Sequence, residues 1–244
     1  MNDFPLAAER SQFKPKAYFD RWIARHTRSL DEFQAIVADP KTPPSHRQSL
    51  LHTIFRRRLE LLIASYSRGD PKTLLAGAFP TLIEALAEFQ REAGPGAQNF
   101  RYFDAYVYAL WILSLGILLE VDRDLLDRAI AELNNRGRDA IFDRLLALRL
   151  PDLKPVATVV YPEPYGLLLQ ALDATGEERT QGIQKFLASF YDGMRGAYWH
   201  GSHASDDTGF FGYWCFELAA FVKAMAIDDS AFADNRYYPR DLVG

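Results

Sequence analysis

The sequence has a single cysteine, Cys215, in 244 residues. No intramolecular disulfide is possible, which fits a reducing compartment. The G-x-G-x-x-G, G-x-x-x-x-G-K-S/T, H-E-x-x-H and G-x-S-x-G patterns are all missing. That removes the common phosphate-cradle, zinc-protease and serine-hydrolase signatures. The longest apolar stretch, 105–119, covers fifteen residues, short of the roughly 20 that a membrane span needs. Met1-Asn2-Asp3-Phe4-Pro5 offers neither a basic nor an apolar leader region, so no signal peptide is expected. Net positive charge is lacking too. With 28 Lys+Arg against 32 Asp+Glu the balance is −4, the wrong sign for a dedicated nucleic-acid binder.

What remains is an ordinary globular composition, 48% apolar and 25% charged, long enough to bury a core without staples. The charge is uneven. Residues 1–119 carry a net +3, and residues 120–244 a net −7. An acidic half is a poor surface for DNA or anionic lipid and a good one for a basic partner.

The apolar periodicity is helical nearly throughout, which predicts an all-α fold: a bundle of antiparallel helical hairpins in two packed helical subdomains, 1–119 and 120–244. Ser29-Leu30-Asp31-Glu32 and Ser45-His46-Arg47-Gln48 have the form of capping boxes and predict helix starts. Asp70-Pro71 predicts another, with the carboxylate at the cap. Arg56-Arg57-Arg58 reads as a solvated face. The run 105–119 reads as a central buried helix, followed by an amphipathic helix capped by Asp122. Val156–Val160 has strand-like composition but no partner strand, so a loop is expected. The last helix is placed at about 209–226, with Cys215 in its middle as a core thiol.

Two constellations hold the side chains that chemistry uses. Tyr198-Trp199-His200-Gly201-Ser202-His203-Ala204-Ser205-Asp206-Asp207 carries zinc- or iron-type ligands, though H-x-x-H and D-D spacings are not specific. A metal-dependent helical hydrolase would use His200, His203, Asp206 and Asp207, with Glu217 as acid or base. The structural alternative has His203 and the carboxylates bonding loop backbone, and Glu217 clamping its helix to the 200–203 loop. Glu217 sits in an otherwise apolar helix, so if buried it needs a cation or several donors. A non-catalytic helical adaptor is the remaining class.

The C-terminal third then becomes distinctive. Tyr198-Trp199 and His203 precede Gly212-Tyr213-Trp214-Cys215-Phe216-Glu217-Leu218-Ala219-Ala220. Asp228-Asp229-Ser230 and Tyr237-Tyr238-Pro239-Arg240-Asp241-Leu242 follow. This order, with Gly137-Arg138-Asp139, Pro164-Tyr165-Gly166-Leu167-Leu168 and Phe190-Tyr191 upstream, resembles the PoNi family of bacterial immunity proteins over about residues 120–244. Arg240 departs from the aromatic expected there.

The resemblance implies an all-helical, cytoplasmic, non-enzymatic antitoxin that binds and blocks the basic nuclease domain of a PoNe-type DNase effector, delivered by type VI or related secretion in interbacterial competition. It implies no cofactor, no metal, no direct nucleic-acid contact and no membrane. The motif residues Tyr198, Trp199, His203, Gly212, Tyr213, Trp214, Glu217, Asp228, Asp229, Tyr238, Pro239 and Asp241 are then read as structural. Toxin contact is assigned to acidic surface, with Asp122, Asp124, Asp127, Glu132, Asp206 and Asp207 as candidates.

Overall fold

A computed structural model describes residue 10 and residues 13–94, 99–205 and 209–244. Among them the fold is all-α. Nine α-helices run in order: α1 (Lys16–Ala38), α2 (Pro44–Arg68), α3 (Lys72–Ala93), α4 (Phe103–Leu118), α5 (Arg123–Leu133), α6 (Ala140–Ala147), α7 (Pro162–Asp173), α8 (Gly176–Gly193) and α9 (Phe216–Met225). No strand occurs among the described residues, and no helix there is long and apolar enough to cross a membrane. The contacts divide the chain into two compact units. One holds α1–α3 and the segment Ser202–Gly212; the other holds α4–α9.

In the first unit α2 is the shared neighbour, packing against α1 on one side and α3 on the other. The turns between them are short, which makes consecutive helices antiparallel. The capping-box signal at Ser29 does not mark a start. The buried stripe Tyr18, Trp22, His26, Leu30, Val37 runs straight through it, and the Ser29 hydroxyl bonds back to the Arg25 carbonyl one turn earlier. A stripe that keeps its helical spacing outweighs a local cap motif. α2 begins one residue before Ser45, where Pro44 occupies the first turn and, having no N–H, needs no cap acceptor.

Asp70 is not a side-chain cap either. Its carboxylate takes the Arg68 guanidinium in a fork, at 2.7 and 2.5 Å. The Arg56–Arg58 triplet, expected in solvent, is half-buried. Arg56 and Arg57 pair with the buried Glu60 at 3.4 and 2.7 Å, and Arg57 lies over the Trp22 ring. A single carboxylate one turn away is enough to draw both stems inward.

In the second unit α4 packs on α5, α6 and α9, which is why it is apolar on every face. α7 and α8 form a close hairpin. A Cβ on Gly182 would meet Ala171 at 2.9 Å, so only glycine permits this approach. The stretch 151–161 is a loop, as its isolation predicts. Its backbone donors go to side chains instead of a ladder: Val156 N–H to Asp143 and Val160 N–H to Asp139. The final helix is shorter than its apolar run suggests. Gly212 sits at φ 130°, a region that favours glycine, and residues 213–215 continue without helix to α9. Cys215 is therefore the cap residue of α9 rather than its middle, and its N–H donates to the Tyr237 carbonyl.

Candidate functional site

Asp122, Asp124 and Asp127 are exposed around the first turns of α5, and Glu132 is half-exposed near its end. α5 is strongly amphipathic, burying Leu126, Ala129 and Leu133, so its charged side chains face away from the core. Asp122 caps the helix, accepting from the Leu125 N–H at 2.9 Å. Asp127 pairs with Arg149 at 3.2 Å and lies 3.8 Å from Arg123. Asp124 makes no ion pair or hydrogen bond through its side chain among the described residues. Asp206 and Asp207 lie outside the described residues.

Three of the carboxylates that make residues 120–244 acidic are not surface groups. Asp139, Asp143 and Glu217 are fully buried. Without those three, the remaining charges of that half sum to −4 rather than −7. Asp139 is a hub. One oxygen accepts from the N–H groups of Ile141 and Phe142 and from the Tyr106 hydroxyl, and the other accepts from Val160. Burial pushes its pKa up, and those donors pull it back. Asp143 ties Gly137 and Val156.

Glu217 has neither the cation nor the several donors expected of a buried carboxylate. The groups that face it are the Tyr165 hydroxyl and the Cys215 thiol, with Tyr106 beyond. Among the described residues no directed hydrogen bond reaches either carboxyl oxygen. Burial raises its pKa to about 7, so the proton supplies the neutrality that a partner would otherwise provide.

The motif residues spread over both units. Trp199 is buried and stacks on Trp111, with ring centroids 5.7 Å apart. Tyr198 beside it is 42% exposed, and its N–H donates to Asp104. Tyr213 and Trp214 are buried, and the Tyr213 hydroxyl donates to the Trp199 carbonyl. Asp228 accepts from the Ser230 N–H, which holds its carboxyl below the usual range. Asp229 accepts the hydroxyl of buried Tyr238. Pro239 is buried and Asp241 exposed, around the closing 3₁₀ turn.

His200 stacks on Tyr191 at 4.2 Å, and His203 packs against Phe13 and Phe210. No group of three His, Cys, Asp or Glu side chains among the described residues stands as a metal site.

Two family models match the chain: the N-terminal domain of PoNe immunity proteins over residues 7–131 and their C-terminal domain over residues 137–242. The chain belongs to the PoNi family. The PoNi match reaches much further toward the N-terminus than the motifs that suggested it. Protein PA2201 from Pseudomonas aeruginosa, known from its crystal structure, aligns with a TM-score of 0.74 at 19% identity, over 97% of this chain and 90% of its own. At that identity the likeness concerns the fold alone. No curated protein matches significantly. As a PoNi protein the chain is an immunity protein against a PoNe nuclease toxin.

The latching role of Asp139 and Asp143 was not read from the sequence. The signal available was Asn134-Asn135-Arg136-Gly137 followed by an Asp before an apolar helix, which is a cap pattern. Nothing local showed that the same carboxylates would also hold a loop up to 21 residues away.

Proposed function

We propose that this PoNi protein is a stoichiometric, non-catalytic inhibitor. It binds the nuclease domain of its cognate PoNe-type toxin in the cytoplasm of the cell it protects and denies that domain its DNA. The observation that carries the reading is the match to both PoNi domains over nearly the whole chain. A nuclease must present basic surface to phosphates, and exposed carboxylates can occupy such a surface without any chemistry. α5 supports this role, because Asp124 is uncommitted and Asp122 and Asp127 lie within a turn or so of it. Glu132 extends the same helix, and Asp206 and Asp207 are kept as contact candidates on residue type alone.

Coexpression with the toxin is the test. The reading expects restored growth and a complex that copurifies at a fixed ratio. Restored growth without any complex contradicts it.

A further inference from the structure

We propose that the face formed by α1 and α3 is a homodimer interface related by a two-fold axis. Because α1 and α3 each pack on α2, a groove of about 240 Å³ stays open between them. Ile23, Leu30, Asp31, Arg58, Leu61 and Ala78 line it. Leu74 lies one turn before Ala78 on α3 and is 56% exposed, so an apolar knob stands beside an apolar recess. Isolated exposed leucines are ordinary; a leucine adjoining a lined groove is an interaction feature.

The charges in the groove point to the occupant. Arg56 and Arg57 both find Glu60, but among the described residues Arg58 makes no ion pair or side-chain hydrogen bond, and neither does Asp31. One groove thus holds an anion and a cation that find no partner among the described residues. A two-fold axis satisfies both at once, because residue i then contacts j and j contacts i. Asp31 of each copy meets Arg58 of the other, and each Leu74 enters the opposite recess. A basic nuclease would leave Arg58 facing like charge. α1 and α3 are 23 and 22 residues long, about 35 Å, so a face two helices wide has room for the roughly 800 Å² per partner of a standard interface.

Sedimentation velocity of the full chain from about 1 to 100 μM tests this. The proposal expects a dimer that Leu74→Glu converts to monomer with an unchanged circular dichroism spectrum. Asp31→Arg and Arg58→Asp should each weaken dimerisation about tenfold or more. An equimolar mixture of those two variants should restore it as a heterodimer, a rescue that only the two-fold arrangement gives. A wild type that is monomeric at 100 μM overturns the proposal. So does a dimer indifferent to all three changes. A monomer in which Leu74→Glu instead abolishes toxin capture also overturns it and assigns the groove to the toxin.

Discussion

The hydroxyl of Tyr106, in the first turn of α4, donates to Oδ1 of Asp139 at 3.1 Å, and both residues are fully buried. The same carboxylate holds the start of α6 and the loop at Val160. A single side chain therefore joins the central helix, a helix N-terminus and an irregular segment. Removing the acceptor leaves three backbone N–H groups without a partner. Asp139→Ala should cost about 3–4 kcal/mol, while Tyr106→Phe should cost about 1 kcal/mol, since only one hydrogen bond is lost. Denaturant midpoints of the two variants check the order.

Glu217 gives the protein a pH dependence of definite sign. Its carboxyl ionises near 7 in the folded state and at 4.5 when free. Between those values the folded chain holds a proton that the unfolded chain has lost. Its contribution to stability is present below pH 4.5, declines as pH rises, and is gone above about 7. The loss between pH 5 and 8 should be about 2–3 kcal/mol. Glu217→Gln should flatten that limb in denaturation series at the two pH values. A slope equal to wild type would place the titration elsewhere.

His26 acts with the opposite sign. Burial, reinforced by Arg57 and Arg25, lowers its pKa from 6.5 to about 4. As pH falls from 6.5 toward 4 the unfolded chain takes up a proton that the folded chain refuses, so stability drops on the acid side. His26→Phe should reduce the acid-side slope and leave the Glu217 limb unchanged, measured by thermal unfolding at pH 4.5 and 6.5.

Gly182 sets the spacing of α7 and α8. A methyl there would stand 2.9 Å from the Ala171 Cβ and 3.2 Å from its Cα, and the second contact is backbone that cannot rotate away. Gly182→Ala should destabilise by about 1–3 kcal/mol despite alanine's better helix propensity. Unfolding curves that show stabilisation would mean the hairpin opens freely.

The helical class, the loop at 151–161 and the Asp122 cap were legible because each rests on local pattern: period, isolation, or a short polar residue before an apolar stripe. The misplacements had tertiary causes. Ser29 looked like a helix start, yet the stripe through Trp22, His26 and Leu30 continued past it. The Arg56–Arg58 triplet looked solvated, yet Glu60 drew two of the three inward. The acidic excess of the C-terminal half overstated the surface field, because Asp139, Asp143 and Glu217 spend their carboxyls inside. Composition counts charges without regard to burial, and only the fold separates the two populations.

Electrostatic association follows from the proposed contact at α5. Converting Asp122, Asp124 and Asp127 to lysine should slow toxin association at low salt and weaken its salt dependence. Loss of the Asp122 cap adds about 1 kcal/mol of destabilisation, so stopped-flow rates are compared with those of Asp124→Lys alone, which leaves the cap in place. A wild-type rate independent of salt would remove steering from the account.

Titrating the purified protein into a fixed amount of active PoNe nuclease, with DNA cleavage as the readout, tests inhibition by occupation most directly. The account predicts a linear fall in activity that ends at a fixed molar ratio, with the two proteins coeluting at that ratio. Complete protection at a small fraction of that ratio, or protection without coelution, would mean that the protein turns over and would contradict it.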